Sequence, residues 1–388
     1  MSNNTKREAM ATNNNDKTLN VPHLRFPEFT GEWRYSFLNE YLEENKERNK
    51  KGLFDKTTVL SVSGDFGIVN QIRLLGRSFA GKSVLDYHVV RYGNIVYTKS
   101  PLKEYPYGIV KINNGVDGIV STLYAVYNVK SNASGCFIEN YFALPRRTNK
   151  YFKPIVRIGA KHDMKISNEE AIANVVCFPQ YAEQQKIAEF LSLIDDRIVS
   201  QNNIIEKLES LIRGLCLKLV SQGIPNTTLN TCLECHSSIL QEKSVTTDGK
   251  YPVYGAAGIC GYSDTPEASG DSILIIKDGA SVGATFYVSG KYSAIGTLNR
   301  LTARPGCSLR YLYYCLKIFD FSQYKTGQAI PHIYFRDYGI AKIWCPSLAQ
   351  QEHIAGILTS IDTKIQMERS LLEHLTIQKR FLLRNMFI

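Results

Sequence analysis

A chain of 388 residues, 44% hydrophobic and 21% charged, has the composition of an ordinary globular protein and room for two domains plus connecting helices. No apolar run reaches the length of a membrane span, and the polar, Asn-rich start lacks the apolar core of a secretory signal. The expectation is therefore a cytoplasmic protein with a disordered tail over residues 1–20 and nine reduced cysteines. The net charge of +10 is unevenly placed: residues 60–165 hold 15 Lys/Arg against 6 Asp/Glu, whereas residues 225–345 hold 11 against 9. A basic first region suits a polyanion such as nucleic acid.

In chain order, a proline-containing lead-in (21–33) precedes a short helix expected over 36–50. Short runs rich in β-branched and aromatic residues follow at 59–62, 67–75, 93–99, 108–112, 118–129 and 137–144, separated by Gly, Asn and Asp turns. This predicts a sheet-containing domain. Ser167 with Glu169 and Glu170 then offers a helix cap, and NVVCFP (174–179) leads into a long helix.

From Pro179 to Val220 the positions 187, 191, 194, 198, 201, 205, 208, 212, 215 and 219 read Ile, Leu, Ile, Ile, Gln, Ile, Leu, Ile, Leu, Leu, a seam of alternating four- and three-residue steps. Displaced by 167 residues, the same template returns Ile354, Leu358, Ile361, Ile365, Glu368, Leu372, Leu375, Lys379, Leu382 and Met386. Both seams turn polar at one place, Gln201 and Glu368. Pro179, Ala182, Gln184, Ile187, Ala188, Asp195 and Glu206 also recur, as Pro346, Ala349, Gln351, Ile354, Ala355, Asp362 and Glu373. A helix of about 40 residues is roughly 60 Å long at 1.5 Å per residue and cannot leave its apolar stripe in water, so each copy should cover the other.

Between the helices, after Gly223-Ile224-Pro225, a second β-rich region runs to Cys345 and repeats landmarks of the first. Residues 92–99 (YGNIVYTK) match 269–277 (SGDSILIIK), Ser121-Thr122-Leu123 matches Gly296-Thr297-Leu298, and NVVCFP matches AKIWCP (341–346). The unit "globular region, then helix" is thus used twice. A pseudo-two-fold axis across antiparallel helices would put the globular regions at opposite ends, a dumbbell suited to two half-sites on a duplex with an unread gap between them.

Three motifs point elsewhere. GRSFAGKS (76–83) matches the phosphate-binding loop, but the chain beyond it runs into a β pattern rather than a helix. Gly279-Ala280-Ser281-Val282-Gly283 matches a serine nucleophile elbow, yet strand-like sequence comes after it. Cys232-Leu233-Glu234-Cys235-His236 has half the spacing of a zinc site and lacks a second ligand pair. No catalytic constellation assembles.

The duplicated Pro-x-x-x-x-Gln starts of the helices (Pro179 to Gln184, Pro346 to Gln351), each followed by Ile-Ala, together with LRFPEF (24–29) and GQAIPH (327–332), make the chain resemble the specificity subunits of type I restriction–modification enzymes. The first region departs from the last motif, having Gly159-Ala160-Lys161-His162. The resemblance implies an α+β fold of two pseudo-symmetric target recognition domains, each a mixed β-sheet with helices, joined by two long antiparallel coiled-coil helices. The divisions are 21–178 and 223–345 for the domains, 179–222 and 346–388 for the helical spacers.

It also implies a noncatalytic DNA-reading subunit, each domain reading half of a bipartite site and the helices setting the gap. Two methyltransferase subunits would dock on it, and restriction subunits would join the complex. No cofactor is expected in this chain; S-adenosylmethionine, ATP and Mg belong to the partner subunits. DNA contacts are expected from Arg73, Lys82, Lys99, Arg146 and Arg147 in the first domain, and from Lys250, Tyr251, Tyr254, Arg300, Lys325 and Gln328 in the second, on loops. The alternatives are an ATP-dependent enzyme using Gly76 to Ser83 and a coiled-coil adaptor that binds RNA.

Overall fold

The computed structural model describes residues 19–158 and 164–388. The tail expected over 1–20 lies, but for its last two residues, outside them, as does the segment Gly159 to His162. The described chain forms two compact units, residues 1–198 with 374–388 and residues 199–373, so each long helix is divided between them.

The helices run Tyr181–Val220 and Leu348–Asn385, close to the expected bounds. Every seam position read from the sequence is buried or half-buried. In the first unit Ile187, Leu191 and Ile194 share a core with Leu382, Leu383, Met386 and Phe387. In the second, Ile212, Cys216 and Val220 share one with Ile354, Leu358 and Ile365. Early residues of one helix meet late residues of the other, so the pair is antiparallel. The polar seam residues meet directly: Gln201 Nε2 donates to the Glu368 carbonyl oxygen at 3.0 Å and to its carboxylate, which Lys364 also reaches at 2.5 Å. Those two donors hold the Glu368 carboxyl below its usual range.

The first unit is built on a four-stranded antiparallel sheet ordered Leu42–Glu44, Ala125–Val129, Ile95–Tyr97, Val110–Ile112. The second has Leu233–Ser237, Leu298–Ala303, Ser272–Ile276, Thr285–Val288 in the same succession. In each, a strand pair closes the domain at its helix, Arg34–Phe37 with Val175–Phe178 and Thr227–Thr228 with Lys342–Ile343. The first core is aromatic: Tyr97 stacks on Phe152 at 4.3 Å, and Phe137 stands edge-on to Phe178 at 5.0 Å.

The repeated Pro-x-x-x-x-Gln start now has a physical reason. Gln184 accepts from the Ser134 backbone N–H at 3.0 Å and donates to the Pro179 carbonyl at 3.0 Å. Gln351 does the same with Ser308 at 2.8 Å and Pro346 at 2.8 Å. Ser134 and Ser308 are the N-caps of the helices Gly135–Tyr141 and Leu309–Ile318, so each glutamine ties a domain helix to the first turn of a long helix. LRFPEF has a comparable task in the first unit. Arg25 grips Glu183 through two bonds of 2.7 Å, Trp33 Nε1 adds a third at 3.2 Å, and Phe26 packs edge-on to Phe190.

Several local expectations are corrected. Residues 36–50 are not a helix: Arg34–Phe37 is drawn into a strand by Val175–Phe178, and Leu42–Glu44 forms the sheet edge. The stretch 137–144 is helical rather than extended, because Phe137, Ile138, Tyr141 and Phe142 are its buried residues, a spacing of 3.6 and not 2. Of 67–75 only Gly67–Asn70 is strand. Asn70 then caps the short helix Gln71–Leu75 by accepting from Ile72 N and Arg73 N, and Gly76, at φ 75°, ends it.

Candidate nucleic-acid interface

The misleading motifs are settled by their surroundings. Gly76 is the left-handed stop of a helix, and the residues after Ser83 lead into the strand His88–Val90, so no helix N-terminus points its amides at a phosphate. Ser281 lies in the turn between the paired strands Ser272–Ile276 and Thr285–Val288, with Val282 buried beside it. A nucleophile elbow needs a helix there and has none.

Cations of the first unit divide into two groups. Arg91 is held between Glu47 at 2.7 Å and Asp117 at 3.1 Å, Lys111 by Glu139 at 3.2 Å, and Lys50 by Asp86. By contrast, Arg73, Arg77 and Lys82 on the stretch 71–86, and Arg146, Lys150, Lys153 and Arg157 further on, have no carboxylate within 4.0 Å among the described residues. Arg73, Lys82 and Arg146 are exposed. The sequence reading missed Arg77, which lies 4.6 Å over the ring of Phe79, itself 58% exposed. An arginine two residues before a phenylalanine was the available signal, hidden by the likeness of its surroundings to a phosphate loop.

Two expected contacts in this unit turn inward. Arg147 Nε donates to the Tyr141 carbonyl at 2.7 Å and its guanidinium lies 4.8 Å over Phe387; burial pushes its pKa down to about 10. It supports the core of this unit. Lys99, half-buried at φ 46°, donates to Asn168 Oδ1 at 2.8 Å, and Asn168 in turn donates to Glu44 at 2.8 Å. Burial lowers its pKa, and the chain of bonds occupies its ammonium inside the unit.

In the second unit the loop around GQAIPH is a built structure. Thr326 and His332 exchange backbone hydrogen bonds of 2.9 and 2.8 Å, Gly279 N donates to Pro331 O at 2.9 Å, and Ile333 N to Lys277 O at 2.9 Å. Gly327 sits at φ 86° with the Ile330 carbonyl where a Cβ would come within 2.4 Å, so only glycine fits. This fixed loop carries Lys325 and Gln328 exposed, beside Ile330 at 65% exposure. Gln can offer an amide donor and acceptor together to adenine, and Lys a charge to guanine or phosphate. Arg336, over the Tyr334 ring at 4.8 Å, was not foreseen.

Lys250 is exposed, and its ammonium shares the half-buried ring of Tyr251 with Lys291, at 5.5 and 5.9 Å. Arg300 is half-buried on the inner strand Leu298–Ala303, opposite His236 and Leu274, and not on a loop. Tyr254 is half-buried and packs edge-on to buried Tyr292 at 5.9 Å. In chain order the GQAIPH loop follows the domain helix and precedes the strand leading to the long helix. The paired strands Arg157–Ile158 and Met164–Lys165 hold that place in the first unit. They set Arg157 opposite Lys165 and flank residues 159–163, which lie outside the described chain.

Residues 234–376 match the family model of the type I restriction modification DNA specificity domain. A stretch of 113 residues is 28% identical to the Type I restriction enzyme EcoprrI specificity subunit of Escherichia coli, covering 29% of this chain and 28% of that protein's length. Among solved structures, the type I restriction–modification S subunit from M. genitalium superposes with a TM-score of 0.67 at 18% identity, over 95% of this chain and 99% of that one. A chain from a structure of type I R-M complex assembly and conformational transition gives 0.53 at 15% identity, over 90% and 96%. No helix among the described residues is long and apolar enough to cross a membrane. With a specificity-domain match over residues 234–376, and a fold whose two halves share one sheet order and one glutamine lock, the chain is similar to the specificity subunits of type I restriction–modification systems.

Proposed function

We propose that the chain is the noncatalytic, cytoplasmic DNA-reading subunit of a type I complex, in which each unit reads one half of a bipartite site and the antiparallel helices set the gap. The observation that carries this reading is the duplication itself: one sheet order, one glutamine lock and one long helix, twice. Two like units suit two like partners, and two methyltransferase subunits binding S-adenosylmethionine would use the repeated surface, with ATP- and Mg-dependent restriction subunits joining them. Unpaired cations of the first unit would take phosphates, and the fixed loop with Lys325 and Gln328 would read bases.

The ruler is tested by lengthening it. One heptad inserted after Gln201 and another after Met367 leave both seams in phase and Gln201 opposite Glu368. Each adds about 10 Å at 1.5 Å per residue, roughly three base pairs at 3.4 Å per step. Sequencing of methylated adenines in cells that express the variant with its methyltransferase should return the same half-sequences with a longer gap. Changed half-sequences at an unchanged gap would end this reading. Competition between a bipartite duplex and structured RNA separates it from an RNA-binding adaptor.

A further inference from the structure

The fold parts the cysteine pair that the sequence set together and builds another cluster. Cys232 ends the short helix Leu229–Cys232, while Cys235 and His236 continue along the strand Leu233–Ser237. Cys232 instead meets Cys307, from the turn before the helix Leu309–Ile318, and Cys345, which precedes Pro346 at the start of the second long helix. The three Sγ atoms all lie within 4.8 Å of one another; Cys232 is buried, the other two half-buried, and none is in a disulfide.

The first unit supplies an internal comparison. Cys232 precedes Leu233, Cys307 precedes Ser308 and Cys345 precedes Pro346. The matching residues ahead of Leu42, Ser134 and Pro179 are Tyr41, Ala133 and Phe178, which belong to one apolar core, with the Tyr41 and Phe178 rings 4.9 Å apart. Where one copy packs two rings and a methyl group, the other gathers three sulfurs of much smaller volume. Thiols needed only as small core residues would not all have to fall within reach of a single ion.

We propose that Cys232, Cys307 and Cys345 bind one thiophilic d10 cation of the zinc class, stapling the base of the second domain to the start of the second long helix. A Zn–S bond of about 2.3 Å places tetrahedral sulfurs about 3.8 Å apart, a small contraction of the observed cluster. A solvent-derived ligand completes the shell. An ordinary cysteine thiol is protonated near neutral pH, so the free cluster carries no charge. Binding forms three S–metal bonds and breaks three S–H bonds, releasing three protons with no change of oxidation state.

The test uses the full chain, purified under reducing conditions. Elemental analysis should find about one zinc per chain, and Cd2+ titrated into the metal-free protein should raise a thiolate-to-metal absorption that saturates near one equivalent, with about three protons released. Cys232→Ser, Cys307→Ser and Cys345→Ser should each abolish stoichiometric retention, whereas Cys235→Ser and Cys260→Ser should keep it. Trp344 fluorescence, read in a Trp33→Phe background, checks that unit two of each variant folds. Should the variants not fold, zinc must still shield three thiols of the native chain from alkylation. Absence of saturable Cd2+ absorption, no shielding, or a thiol count two short under reducing purification would each overturn the proposal.

Discussion

Gln184→Met tests the lock between domain and helix. Methionine keeps the length and nearly the volume of glutamine but removes the acceptor for Ser134 N and the donor to Pro179 O, both 3.0 Å bonds of a fully buried side chain. Each buried backbone group left without a partner costs about 1–3 kcal/mol, so losing both should destabilise the first unit by about 2–6 kcal/mol. The bonds to the two serine N–H groups are alike partly buried, but that of Gln351 to Pro346 O is partly buried where that of Gln184 to Pro179 O is buried, so Gln351→Met should cost the second unit less. The chain holds two tryptophans, buried Trp33 in the first unit and half-buried Trp344 in the second. Urea unfolding followed by fluorescence in the backgrounds Trp344→Phe and Trp33→Phe therefore reads the units one at a time. A loss below about 0.5 kcal/mol in the Trp33 transition would refute the lock, since it would mean that water satisfies both groups once the glutamine is gone.

Two further predictions concern charge. At the polar seam, Gln201→Leu leaves the Glu368 carboxylate facing a methyl group and should cost about 1–3 kcal/mol, while the double variant Gln201→Leu with Glu368→Leu should return to within about 1 kcal/mol of the parent or exceed it; additive losses in chemical unfolding would mean that the pair is not coupled. For nonspecific duplex, Arg73→Ala with Lys82→Ala should flatten the dependence of log affinity on log salt by about 0.9 for each phosphate no longer neutralised. Arg147→Ala should leave that slope unchanged and lower the melting temperature, and a slope that followed Arg147 instead would reverse the assignments.

The long helices, their antiparallel pairing and the repeat were legible because a heptad seam is a local signal and appeared twice. The same legibility failed where tertiary partners decide. Residues 34–37 become a strand only because Val175–Phe178 lies alongside, a pairing across some 140 positions that no window around Ser36 contains. Phe137 to Phe142 looked extended by composition, whereas the bond from Ser134 N to Gln184 ties down the start of a helix there. At the candidate interface, residue type named the exposed cations but not their orientation. Arg146 and Arg147 are adjacent in sequence, yet a helical step of 100° sends one outward and the other over Phe387. Cys307 and Cys345 could not be joined to Cys232 before the fold brought three distant turns together.

A duplicated framework separates what must be constant from what must differ. The sheet order, the N-cap serines and the paired glutamines occur in both halves, and each fixes a domain helix to a long helix; none carries information about a base. The halves diverge in the stretch after the first hairpin, where unit one has Arg73, Arg77, Phe79 and Lys82, and at the turn before the final strand, where unit two has the glycine-locked loop with Gln328. If half-site sequence were read by framework positions, two identical frameworks would read identical halves. On the proposed reading, readout would belong to the divergent loops, and rigidity would matter: a loop held by four backbone hydrogen bonds would present Gln328 with little ordering cost on binding. The same division explains why Lys99 and Arg147, basic as they are, were poor candidates. Both are tied into the framework, where a change of base preference would have to be made at the expense of the fold.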